Sequence, residues 1–93
     1  MSLLRWDPEK NQKLIAERGV SFEEVAWAIE NGMVLEETEH PNPSRYGHQK
    51  MLIVELNGYA YLVPFVELND DIFLKTIIPS RKATKKYLGG KQQ

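Results

Sequence analysis

The sequence predicts an α+β protein: two N-terminal helices, an antiparallel meander of three or four strands, and a short C-terminal helix. Three observations carry this. Two capping signatures lie within the first 24 residues, at Asp7-Pro8 and at Ser21-Phe22-Glu23-Glu24. An Asn57-Gly58 pair then joins two β-rich runs, the strongest short hairpin signal because both turn positions need φ > 0. Last, Ser80 precedes a basic stretch that ends at Leu88-Gly89. Helices first, strands in the middle and tight turns throughout favour a meander with helices packed on it.

The first helix starts with Asp7 as N-cap and Pro8 at N1, where a missing N–H costs nothing. Glu9 suits the positive end of the helix dipole, and Gly19 stops the helix after Arg18. Only Leu14 and Ile15 are strongly apolar within it, with Trp6 just before the cap, so a narrow stripe should anchor it. In the second helix Ser21 and Glu24 form a capping box, and Val20 can staple onto Val25. Phe22, Val25, Ala26, Ile29 and Met33 give one apolar face, and Asn31-Gly32 ends the helix.

Strands follow. Residues 33–38 suit a short first strand, and 40–48 a loop, since Pro41, Pro43 and Gly47 exclude regular structure. A strand over 49–56 pairs through Asn57-Gly58 with one over 59–68. In the latter, Tyr59, Tyr61, Val63 and Phe65 share one face, and Ala60, Leu62, Pro64 and Val66 the other. Pro64 cannot donate a ladder hydrogen bond, which predicts a local edge or a bulge there. Asn69-Asp70-Asp71 turns the chain into a last strand over 72–79, and Ser80 caps the final helix.

The 93 residues suit one domain, over 1–93. The absence of cysteine excludes disulfides and thiolate zinc sites, and two histidines too far apart in sequence to chelate a metal from one turn predict no metal and no cofactor. No apolar run approaches the ~20 residues that cross a bilayer, and the N-terminus lacks the long apolar stretch of a signal peptide. A cytoplasmic protein without membrane contact is the expectation.

The net charge of −1 hides an asymmetry. Seven acidic residues stand against one basic residue between Glu17 and Glu39, whereas residues 79–93 hold five basic residues and no acidic one. Such a division gives part of a surface a positive potential despite a neutral total.

Two clusters are candidates for chemistry. The first is the loop with His40, Arg45, Tyr46 and His48, which mixes acid–base and phosphate-binding groups between stiffening prolines. A polar surface connection explains the same residues. The second is Lys75 with Arg81, Lys82, Lys85, Lys86 and Tyr87. On a helix Arg81 and Lys85 share one face, and Lys82 and Lys86 the adjoining one. Arginine binds phosphate in bidentate fashion, and a tyrosine ring can stack on a base. A solvated helix packed through Ala83, Tyr87 and Leu88 is the alternative.

Trp6-Asp7-Pro8-Glu9-Lys10-Asn11, Arg18-Gly19-Val20-Ser21-Phe22-Glu23-Glu24-Val25 and Ile77-Ile78-Pro79-Ser80-Arg81-Lys82-Ala83-Thr84 resemble the BrnT family of toxins in order and spacing. The resemblance covers residues 5–88. It implies a RelE/ParE-like fold, a cognate antitoxin as partner, and RNA cleavage as the toxic activity. By position it carries over Lys10, the Arg18-Gly19 joint, Arg45 and Arg81-Lys82. Three departures are visible: Glu17-Arg18-Gly19 stands where many members have Lys-His-Gly, the chain is net acidic, and its proline-rich loop and residues 61–66 look like those of a subgroup.

The expected function is therefore a type II toxin acting as a metal-independent ribonuclease that inhibits translation. Catalytic candidates are Arg81, Arg45, His48, His40 and Tyr46. RNA-binding candidates are Lys10, Lys75, Lys82, Lys85, Lys86 and Tyr87. Partners would be the antitoxin, RNA free or on the ribosome, and a second copy of the chain. Two other classes fit the same residues. One is a catalytically silent module that pairs with a DNA-binding antitoxin-like protein in transcriptional autoregulation. The other is a stand-alone domain offering a strand edge to a partner.

Overall fold

The computed structural model describes residues 3–39 and 50–89. The elements are β1 (Leu4–Arg5), α1 (Pro8–Arg18), α2 (Phe22–Glu30), β2 (Val34–Glu39), β3 (Lys50–Leu56), β4 (Tyr59–Leu68), β5 (Asp71–Leu74), β6 (Ile78–Pro79) and α3 (Arg81–Leu88). The α+β class and the three helices agree with expectation. The sheet has six strands rather than three or four, in the order β1-β5-β4-β3-β2, with β6 also on β4. It is mixed, because β1 runs parallel to β5. Each of the added strands, β1 and β6, is two residues long, too short to show a periodicity.

The helix ends follow their capping chemistry. Asp7 accepts a hydrogen bond from the Glu9 amide, and Gly19 closes α1 at φ 69°. Ser21 and Glu24 exchange both bonds of the capping box. The joint between α1 and α2 is held by Asn11, which is 4% exposed. Its Oδ1 accepts from the Phe22 amide at 2.8 Å, and its Nδ2 donates to Glu23 Oε1 at 2.7 Å. The first bond satisfies an amide that the first turn of α2 would otherwise leave orphaned.

Asn11→Ala therefore removes the partner of a buried amide, and an expected destabilisation of about 1–3 kcal/mol is measurable by urea unfolding. Asn11 is also the largest cause that holds the Glu23 carboxyl below its ordinary range, ahead of a backbone bond to the same carboxylate. A lowered carboxyl pKa stabilises the fold above the unfolded-state value and loses that effect as pH falls through the folded value. The stability gap between wild type and Asn11→Ala should narrow on acidification, and a gap independent of pH would count against this role.

The sheet separates two apolar clusters. On one face α1 and α2 pack Leu14, Val20, Phe22, Val25 and Ala28 against Leu52, Val54, Leu56, Val63, Phe65 and Leu74. Trp6 stacks on Phe22 with ring centroids 5.7 Å apart. On the other face Ala83 and Leu88 of α3 cover Ile53 and Ala60, with Leu35, Leu62 and Tyr87 at the margin. The alternation in β4 thus divides its two faces as predicted. In α2, Ala28 is buried and Ala26 only partly so, a shift of the apolar stripe from the predicted positions.

β4 lies inside the sheet, between β3 and the β5–β6 side, so it offers no edge for strand addition. At Pro64 itself β4 is locally an edge on one side, one of the two expected outcomes. β5 pairs with residues 65–68 of β4 and β6 with residues 61–62, so the neighbouring strand is interrupted beside Pro64. The Pro64 carbonyl accepts from the Lys75 amide at 2.8 Å in that gap. A residue without an N–H sits where no strand needs one. This also explains why the predicted strand over 72–79 divides into two, with Lys75 between them rather than in a strand.

Candidate nucleic-acid interface

α3 is fastened to the hairpin end of the sheet by a compact set of bonds. The Ser80 amide donates to the Ala60 carbonyl at 3.0 Å. The Thr84 hydroxyl accepts from the Ala60 amide and donates to the Ser80 carbonyl, both at 2.8 Å. Ser80 Oγ caps the helix on the Ala83 amide. Ala83 and Leu88 are turned to the sheet with Thr84 and Tyr87 half-buried beside them, and Arg81, Lys82, Lys85 and Lys86 are all exposed.

The two predicted pairs, Arg81 with Lys85 and Lys82 with Lys86, therefore stand side by side on one helix. Arg81, Lys82 and Lys85 make no ion pair with any described residue, so their charge faces outward uncompensated. Between α3 and the sheet is a hollow of about 200 Å³, with Ile53 and Leu62 at its floor and Lys82, Lys86 and Tyr87 on its rim. Lys86 Nζ lies 5.1 Å from the centre of the Tyr87 ring.

Tyr87 is fixed by a contact that the sequence did not announce. Its hydroxyl donates to the carboxylate of Glu36 on β2, across the sheet from the start of α3. That bond is the largest cause raising the phenol pKa above its ordinary value. The ring therefore keeps its proton at neutral pH, which suits stacking and orienting more than proton abstraction.

Lys75 stands on the same face of the sheet, because Phe73 opposes Val66 there and the Lys75 ammonium lies 5.3 Å from the Phe73 ring centre. Lys10 does not join the cluster: it is on α1, which covers the opposite face. Arg18 has a structural task, since its guanidinium donates to the Ile77 carbonyl and ties the end of α1 to the segment leading into α3. His40, Arg45, Tyr46 and His48 lie outside the described residues. Their flanks do not: Glu39 and Lys50 are paired across β2 and β3.

A family model described as the ribonuclease toxin BrnT of type II toxin–antitoxin systems matches residues 6–86. The chain belongs to this family. The match takes in the α1–α2 joint as well as Arg81, Lys82, Lys85 and Lys86 of α3, so all three segments that carry the resemblance fall inside it. No curated protein and no solved structure gives a significant match to the chain. BrnT toxins, as members of type II systems, have a cognate antitoxin. Among the described residues no helix is long and apolar enough to cross a membrane. Nor do three His, Asp or Glu side chains among them converge as metal ligands would.

Proposed function

We propose that this BrnT chain cleaves RNA without a metal ion, in the cytoplasm, as one toxin domain of 93 residues that a cognate antitoxin holds in check. The 2′-hydroxyl of a nucleotide attacks the adjacent phosphorus, the bond from phosphorus to the 5′-oxygen breaks, and a proton passes to the leaving oxygen. The products are a 2′,3′-cyclic phosphate and a 5′-hydroxyl. This chemistry needs cations where negative charge develops on phosphate and one group that moves a proton.

The observation that supports this most is the row of outward cations on α3, uncompensated by any described carboxylate, within a match to a ribonuclease family. Arg81 and Arg45 are the proposed clamp on the phosphate. Lys82, Lys85, Lys86 and Lys75 hold the backbone on either side, with Lys10 reaching a longer RNA from the other face. His48 or His40 moves the proton, because an unperturbed imidazole titrates near 6.5. Tyr46 orients the nucleotide, and the Tyr87 ring stacks a base.

Incubating the purified protein with RNA in excess EDTA, with and without ribosomes, tests the reaction class. Cleavage that persists in EDTA and leaves 5′-hydroxyl ends is the expected result. Ends bearing 5′-phosphate, or cleavage abolished by EDTA and restored by a divalent ion, would overturn the mechanism.

A further inference from the structure

α2 carries an exposed aromatic that neither core uses. Phe22, Val25 and Ala28 face the sheet, whereas Trp27 on the other side of the helix is 58% exposed. It borders a groove of about 420 Å³ between α2 and the β3–β4 hairpin, walled also by Met33 and Leu56 and closed by the Asn57-Gly58 turn. The turn has Asn57 at φ 54° and Gly58 at φ 80°, and the Met33 carbonyl accepts from the Glu55 amide at 3.0 Å, which ties the end of α2 to the hairpin.

Its charge is one-sided. Glu24 and Glu55 stand on the rim, and no lysine or arginine lines it. None of the α3 cations takes part. An apolar trough with an acidic rim complements an apolar side chain flanked by lysine or arginine. It repels a polyanion such as RNA. An exposed tryptophan beside such a trough has the character of an interface anchor, because tryptophans dominate binding energy where they become fully covered.

We propose that this groove seats a basic, amphipathic segment of the cognate antitoxin, with an apolar side chain against Trp27 and Lys or Arg side chains on Glu24 and Glu55. The proposal rests on the type II family assignment and does not require that the toxin's target be RNA. Toxin and antitoxin would then meet through a surface other than α3, so substitutions there separate neutralisation from toxicity.

The test uses the cognate antitoxin, purified and titrated against wild type, Trp27→Ala and Glu55→Lys. Each toxin is also expressed alone and with the antitoxin while growth is followed. Trp27→Ala should weaken binding by about 30-fold or more, as truncation of an interface anchor does. Glu55→Lys should weaken it in a way that shrinks at high salt. Both variants should remain as toxic as wild type alone and escape neutralisation. If both are folded by circular dichroism and bind the antitoxin as wild type does, the proposal is wrong. Should Trp27→Ala fail to fold, Glu55→Lys decides alone. A free toxin that is dimeric and shields Trp27 from acrylamide quenching would assign the groove to a second copy and also overturn it. A wild type that is not toxic would count against the ribonuclease reading, while the titration still decides the groove.

Discussion

Arg81→Ala should lower RNA cleavage by about 100-fold or more, the loss found when a preorganised group that meets developing charge is removed. Arg81 is exposed at the first position of α3, and its side chain supports no other described element. A cation there opposes the helix dipole, so its removal should leave stability unchanged or raise it by a few tenths of a kcal/mol. Loss of activity with retained stability is the signature of a functional group. Arg81→Lys should recover only part of the rate, because an ammonium cannot make the bidentate contact. Lys82→Ala should instead raise KM and soften the salt dependence, as loss of a backbone contact does. Single-turnover kinetics on a short RNA, with circular dichroism on each variant, reads all three. An Arg81→Ala enzyme with unchanged kcat would remove Arg81 from the site.

Phe22→Ala should produce the largest loss of stability, about 3–5 kcal/mol. Phe22 is fully buried at the start of α2, in stacking contact with Trp6, and it joins both N-terminal helices to the sheet. Domains of this size have total stabilities of about 5–15 kcal/mol, so such a loss leaves little in reserve. The melting temperature should fall by at least 10 °C, given about 4–8 °C per kcal/mol at this length. Toxicity would fall as well, through reduced abundance and not through chemistry, and Arg81→Ala separates the two routes. A loss below about 1 kcal/mol would mean that the helices contribute less to the core than their burial indicates.

The parts of the fold that local chemistry dictates were legible in the sequence. Asp7-Pro8, Ser21 with Glu24, and Ser80 each begin a helix where their capping chemistry predicts, and β4 has the predicted limits Tyr59–Leu68. What escaped depends on contacts distant in the chain. β1 exists because the Leu3 carbonyl accepts from the Ile72 amide, and because Arg5 pairs with Asp71 at 2.7 Å. Two residues cannot show an alternation, so only the partner reveals the strand. Asn11 looks like an ordinary polar residue on an exposed helix until Phe22 and Glu23 close over it. Glu36 meets Tyr87 across 51 residues.

The candidate site divides in the same way. The pairing of Arg81 with Lys85 and of Lys82 with Lys86 followed from helical spacing alone. The fixed Tyr87 hydroxyl and the hollow at its side required the sheet beneath α3. Lys10 looked equivalent to the other cations in the sequence, yet the sheet stands between it and α3. Trp27 carried a faint signal, since it falls outside the apolar stripe of α2.

The central claim, an RNA-cleaving toxin whose site includes α3, is tested most directly by expressing the chain from a tightly repressed promoter beside Arg81→Ala. Growth is followed while total RNA is mapped for new 5′-hydroxyl ends. Growth arrest with new ends in wild type, both lost in a folded Arg81→Ala, is the predicted result. Normal growth and unchanged RNA ends with soluble wild-type protein would contradict it and favour the silent module that acts through its partner.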